Sequence, residues 1–203
     1  QCESPYDRDD LLAPVELHWD VLTSPFGTDF DIDRIFKRQA TLVTGDAELP
    51  VPSPEDALSM SCAHGAKHAW SRLLWVADVT ALMHKGIDWD DAAQEAERAR
   101  AGRMLRFGLL LAHGLFGIQL PERIAGEIQA DRVTKKAACK CEASLLRPAD
   151  APAPYGERII ALRLEEGIGA KIRYLFRTLT CLSQSDLMAV RLPPRLSFFY
   201  YLI

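Results

Sequence analysis

Apolar and polar positions change period once along this chain. Over residues 13–22 they alternate: Val15, Leu17 and Trp19 fall on one face, and Glu16, His18 and Asp20 on the other. That period of two is the signature of a half-buried strand. Residues 1–13 are polar, carry Asp7, Asp9 and Asp10, and read as a loop. Residues 31–38 suit a short helix. Residues 40–51 predict a hairpin, Thr41-Leu42-Val43 and Leu49-Pro50-Val51, turned through Gly45-Asp46.

From Ser53 onward apolar residues recur every three or four positions, and the reading becomes helical. Ser53 is an N-cap, Pro54 takes the first helical position, and Glu55 and Asp56 place two acids in the first turn. The helix they open is expected over residues 54–70, with Leu58, Cys62, Gly65, Ala66 and Ala69 on one face. A second is expected over 71–84, stopped by Lys85-Gly86, a third from Asp88 to near Gly102, and a fourth over 103–117. Pro121 opens a fifth, running with a break towards Leu146; residues 155–166 and 169–181 make two more. A proline- and alanine-rich linker occupies 148–154, an extended segment 186–192, and a last helix starts at Pro193. The fold class is therefore α+β, mostly α: a short strand and hairpin region over 1–52, then a helical bundle over 53–203.

Composition narrows the partners more than the fold. The 203 residues are 48% hydrophobic and 26% charged, enough for a proper core. A net charge of −4 carries no footprint for duplex nucleic acid. No run of about 18 apolar residues occurs, so no membrane span is expected; residues 105–120, the most apolar window, are interrupted by Arg106, His113 and Gln119 and read as a buried helix. The five cysteines, Cys2, Cys62, Cys139, Cys141 and Cys181, form no zinc frame and read as reduced thiols of a cytoplasmic protein. The chain starts at Gln1 and ends on the apolar Phe198–Ile203, and both ends look cut, as in a piece of a longer protein.

The chemistry-bearing stretch is Cys62-Ala63-His64-Gly65-Ala66-Lys67-His68-Ala69-Trp70. His64 and His68 are four apart and share a helical face, with Lys67 beside them. Three uses stay open: a metal site completed by Asp78 of the next helix, phosphate contact through Lys67 and the imidazoles, or core histidines bonded to carbonyls or carboxylates. Gly65 stands where His-Glu-x-x-His has its glutamate, which disfavours metalloprotease chemistry. Trp70, Trp75 and Trp89 read as bundle core. Arg72, Lys67 and Asp78 read as a charged surround.

Three ordered segments, Val15-Glu16-Leu17-His18-Trp19, Ser53-Pro54-Glu55-Asp56-Ala57-Leu58 and His64 through Asp78, together resemble a bacterial family of uncharacterised nucleotidyltransferases in the DNA-polymerase-β-like superfamily. The resemblance continues through Asp88-Trp89, 103–117 and Leu120-Pro121, and so covers most of the chain from residue 14. It implies transfer of a nucleoside monophosphate from a triphosphate such as ATP to an acceptor, with Mg²⁺ or Mn²⁺ held by three carboxylates. Glu16 occupies the place of the third, making it the catalytic, metal-binding acid; His64, Lys67, His68 and Arg72 would meet phosphates. The Gly-Gly/Ser…Asp-x-Asp pair is missing: Asp7-Arg8-Asp9 is expected to lack both the glycines and the strand, and Asp29, Asp31 and Asp33 follow Glu16 in the wrong order. Residues 1–52 would then be the remnant of the catalytic core, and the chain is expected to have little or no activity alone. A helical module that docks a protein partner is the competing expectation.

Overall fold

The computed structural model describes residues 3–6, 15–18, 20–22, 26–146 and 157–180. The expected linker at 148–154, the segments after 180, and the placement of Trp19 lie outside the described residues.

Strand β2 (Val15–His18) forms within the alternating stretch, and it is paired. Its partner, β1 (Glu3–Tyr6), corrects the expectation of a loop: the two run antiparallel with Glu3 opposite His18 and Tyr6 opposite Val15. Pro5 hides this strand from propensity reasoning, since it withholds a backbone donor and is tolerated only at a sheet edge. Helix α1 (Ile32–Lys37) is capped by Asp31, whose carboxylate accepts the Arg34 amide. The hairpin forms as β3 (Ala40–Thr44) and β4 (Ala47–Val51), and Gly45 supplies the positive φ of 57° that its two-residue turn needs.

Helix α2 (Pro54–Lys67) starts as expected, with Ser53 Oγ accepting the Asp56 amide. It stops three residues early. Ala69 and Trp70 both adopt positive φ, 49° and 53°. The Trp70 amide reaches back to the Gly65 carbonyl and the Ala69 amide to Ala66, which is the Schellman closure of a helix end. The reversal separates α2 from α3 (Leu73–Met83) and folds the Trp70 indole under Gly65. Helix α4 (Trp89–Arg98) opens on Asp88, and α5 (Gly102–Phe116) closes on Gly117 at φ 69°. The expected break in the fifth helix falls at Asp131, which ends α6 (Glu122–Ala130) and caps α7 (Arg132–Leu145). Helices α8 (Glu157–Leu164) and α9 (Gly167–Thr180) complete the described elements.

Helix α2 is the hub, packing on α3, α4 and α5, while α5 also carries α7. Its expected apolar face is the one buried: Leu58, Cys62 and Ala66 have no exposure, against Phe107, Leu109 and Leu111 of α5, also fully buried. Trp70 is wholly inside; Trp75 and Trp89 are only partly covered and pack against the core. Cys62, Cys139 and Cys141 are free thiols, and burial pushes Cys62 up and Cys141 to about 12. Among the described residues no helix is long and apolar enough to cross a membrane.

Asp131 ties two helices and one distant arginine together. Its carboxylate accepts the Val133 and Thr134 amides and the Thr134 hydroxyl, and pairs with Arg103 at 2.9 Å. Burial opposes the charge, but the Thr134 amide and hydroxyl and Arg103 outweigh it and hold the carboxyl at about 2. Its contribution to stability is therefore complete above the ordinary aspartate range and is lost as pH falls from there towards about 2. Asp131→Ala is expected to cost about 2 kcal/mol at neutral pH, from the lost cap and the orphaned Arg103. Urea unfolding at pH 7 and near pH 3 checks this, the difference between wild type and variant narrowing at the lower pH.

Candidate functional site

The spacing of His64 and His68 works as the helix geometry requires: their ring centroids are 4.7 Å apart on one face of α2. Trp75, in the first turn of α3, packs against both. Its ring stacks on His68 at 4.9 Å and 26°, and meets His64 edge-on at 5.8 Å and 79°. The guanidinium carbon of Arg72 lies 5.8 Å from the centre of the same indole, a cation–π contact on an exposed side chain. Lys67 occupies the last turn of α2. Three of the four expected phosphate contacts, His64, His68 and Arg72, are thus gathered around one tryptophan.

Asp78 does not complete a metal triad with the two imidazoles. Among the described residues no three His, Cys, Asp or Glu side chains stand close enough to hold an ion. The glycine in place of the metalloprotease glutamate has a packing reason. A Cβ on Gly65 would lie 2.7 Å from the Trp70 ring, and one on Gly108 of α5 would lie 2.5 Å from Cys62 Sγ and 2.9 Å from that ring. Bare backbone on both helices is what lets the indole lie between them.

His64 faces a second environment. With Met60 and Ser61 it forms one wall of a cleft of about 390 Å³. The cleft is also lined by Ile32, Ile35 and Phe36 of α1, by Gln39, by Pro50, Val51 and Pro52, and by His18, Asp20 and Val21 at the β2 side. So the β2 region and the histidine helix border one hollow. Glu16 sits in β2 opposite Pro5, two positions before His18; its side chain lies outside the described residues.

Sequence reasoning missed what holds the α1 wall in place. Arg34 grips Glu95 of α4 with two 2.7 Å bonds. Arg38 bonds Asp56 of α2 at 3.0 Å and pairs with Asp91 of α4. The Arg34 bond draws Glu95 below the usual carboxylate range in spite of its burial, and the Asp91 bond raises Arg38. A polar cavity of about 530 Å³ opens beside these pairs, bordered by Asp29, Asp31, Arg98 and the buried Ser59. Asp56 was visible only as a first-turn acid, because its partner lies 18 residues away, and the partners of Asp91 and Glu95 lie 53 and 61 residues away.

Comparison with known proteins returned no match among curated proteins and none among solved structures. A protein-family comparison did match: residues 3–117, more than half of the chain and every element that builds the cleft, fit the pattern described as an uncharacterised nucleotidyltransferase. With β2, the capped α2 and its histidine face all inside the match, the chain belongs to the uncharacterised nucleotidyltransferase family.

Proposed function

We propose that the hollow between β2 and α2 is the catalytic cleft of a nucleotidyltransferase that moves a nucleoside monophosphate from a triphosphate to an acceptor hydroxyl. Family membership gives nucleotidyltransferase-like function, with a nucleoside triphosphate and a divalent metal in general terms. The observation that carries the finer reading is that His18, two positions from Glu16 on the same strand, lines the same cleft as His64. In a strand those two positions share a face.

The described residues do not by themselves assemble a two-ion centre. Glu16 would serve as one metal-binding carboxylate for Mg²⁺ or Mn²⁺, which would stabilise the attacking and leaving oxygens. Lys67, His64, His68 and Arg72 bind the phosphates, and their charge and N–H groups suit non-bridging oxygens. The acceptor oxygen bonds to the α-phosphorus as the bond to the bridging oxygen breaks, and pyrophosphate leaves. The acceptor proton passes to an imidazole of the cleft, His18 or His64.

The chain alone is expected to bind a non-hydrolysable ATP analogue weakly, with Kd on the order of 1 mM, and to turn over no ATP. Lys67→Ala and Arg72→Ala should each weaken that binding about fivefold, the usual scale of one exposed charge–phosphate contact. Titration calorimetry with and without Mg²⁺ measures both. Tight, Mg²⁺-dependent binding that survives these substitutions would place the active site elsewhere.

A docking role has an observation of its own: α9 exposes Ile168 and Ile172 at a spacing of four. A partner held on that stripe would leave nucleotide binding untouched by Ile172→Asp.

A further inference from the structure

We infer that the acceptor is a small, uncharged molecule with an apolar body, seated against Ile35, Phe36, Val51 and Met60. The inference rests on the nucleotidyltransferase reading and concerns which end of the site each substrate takes. His64 is the dividing residue: it lines the cleft with one side and meets His68 and Trp75 with the other. The basic groups, Lys67 and Arg72, belong to the outer side, at the end of α2 and the start of α3. Among the described residues that line the cleft there is no lysine or arginine, and the ionisable side chains are Asp20, His18 and His64.

Such a lining is a poor seat for a triphosphate, or for an acceptor that is itself a polyanion: with no lysine or arginine it sets only the His18 and His64 imidazoles against several negative charges. A polycation would find one carboxylate and apolar walls. A neutral ring or short alkyl body fits. The hollow of about 390 Å³ lies in the range of small-molecule sites, and most of its lining is aliphatic or aromatic with a few polar groups to orient the guest. Those groups are His18, Asp20, Gln39, Ser61 and His64, and the hydroxyl of the guest is directed between His18, on the strand that bears Glu16, and His64. The triphosphate then approaches from the Trp75 side and the acceptor from the Phe36 side, meeting at His64.

The test uses the 203-residue chain and three probes: 2-naphthol, spermidine and a single-stranded thymidine oligonucleotide. Methyl resonances of Ile35, Val51 and Met60 report the cleft, and the His68 ring and Trp75 fluorescence report the outer side. Naphthol should shift the three methyl signals saturably, and the charged probes should leave them unmoved. Phe36→Ala should weaken naphthol binding about fivefold by removing apolar contact, and because Phe36 is 65% exposed its loss spares the core. Met60→Lys should weaken it about tenfold or more by placing a charge in the hollow. Saturation of the methyl signals by spermidine or the oligonucleotide, or naphthol binding unaffected by Phe36→Ala, overturns the inference. The ATP analogue is titrated into the same samples. If it moves His68 and Trp75 while naphthol does not bind, the acceptor assignment fails and the nucleotide reading stands. If it displaces naphthol from the methyl site, the cleft takes the base and the inference fails. If naphthol binds and the analogue moves nothing, both fail together.

Discussion

Replacing Trp70 by alanine should remove about 3–5 kcal/mol of stability, a large part of the roughly 5–15 kcal/mol that a domain of this kind holds. The indole has no exposed surface and lies between α2 and α5, in contact range of the Gly65 and Gly108 backbones and 6.1 Å, centre to centre, from the Phe107 ring. Its loss leaves a hollow that two glycines cannot refill by rotamer change, which is the case in which cavity costs are highest. The converse substitutions should hurt for the opposite reason. Gly65→Ala and Gly108→Ala push a Cβ to 2.7 Å from the ring and 2.5 Å from Cys62 Sγ, and overpacking of that kind costs about 1–3 kcal/mol, more than the gain in helix propensity at Gly65. Urea unfolding of the three variants measures these costs. If Gly65→Ala proved stabilising, the indole would not be packed where described. The same result would reopen the glycine as a residue tolerated for chemistry rather than required for packing.

Removing Arg38 should have the second-largest effect and should reach the site as well as the fold. Asp56 is 6% exposed at its side chain and has the Arg38 guanidinium at 3.0 Å. Arg38→Ala leaves that carboxylate buried without its partner and releases Asp91, at a cost of about 2–3 kcal/mol; the fully buried case would be higher, but Arg38 is 22% exposed. Replacing both groups by apolar ones of similar volume, Arg38→Met with Asp56→Leu, should recover most of the loss, because it is the orphaned charge that is costly. The functional consequence follows from position. Arg38 closes α1, whose Ile32, Ile35 and Phe36 form a wall of the cleft, so the single variant should also weaken ligand binding while the double variant restores it. A single variant as stable as wild type would show that the ion pairs are spectators.

Local signals were legible and long-range ones were not. Ser53-Pro54 announced α2, Gly117 and Asp88 announced helix ends, and the face of Leu58, Cys62 and Ala66 is the buried one. Each of these depends on neighbours within a turn or two. The early stop of α2 was not visible, because Ala69 and Trp70 adopt a left-handed conformation that L-residues seldom take, and they do so only because the core receives the indole. Strand β1 was missed because pairing with β2, not propensity, makes it a strand. Of the site, the histidine face was readable from spacing alone, whereas Trp75 read as bundle core and its stacking on His68 was not visible. The cleft itself required the hairpin and α1 to be placed, and the placement of α1 rests on the Arg34 and Arg38 pairs.

The most direct measurement is proton NMR of the His64 and His68 rings while the non-hydrolysable ATP analogue is titrated in. If phosphates lie at the end of α2, both imidazoles shift with a common affinity, and Lys67→Ala moves that affinity for both. Imidazoles that stay still while the nucleotide binds elsewhere would contradict the assignment of this cleft.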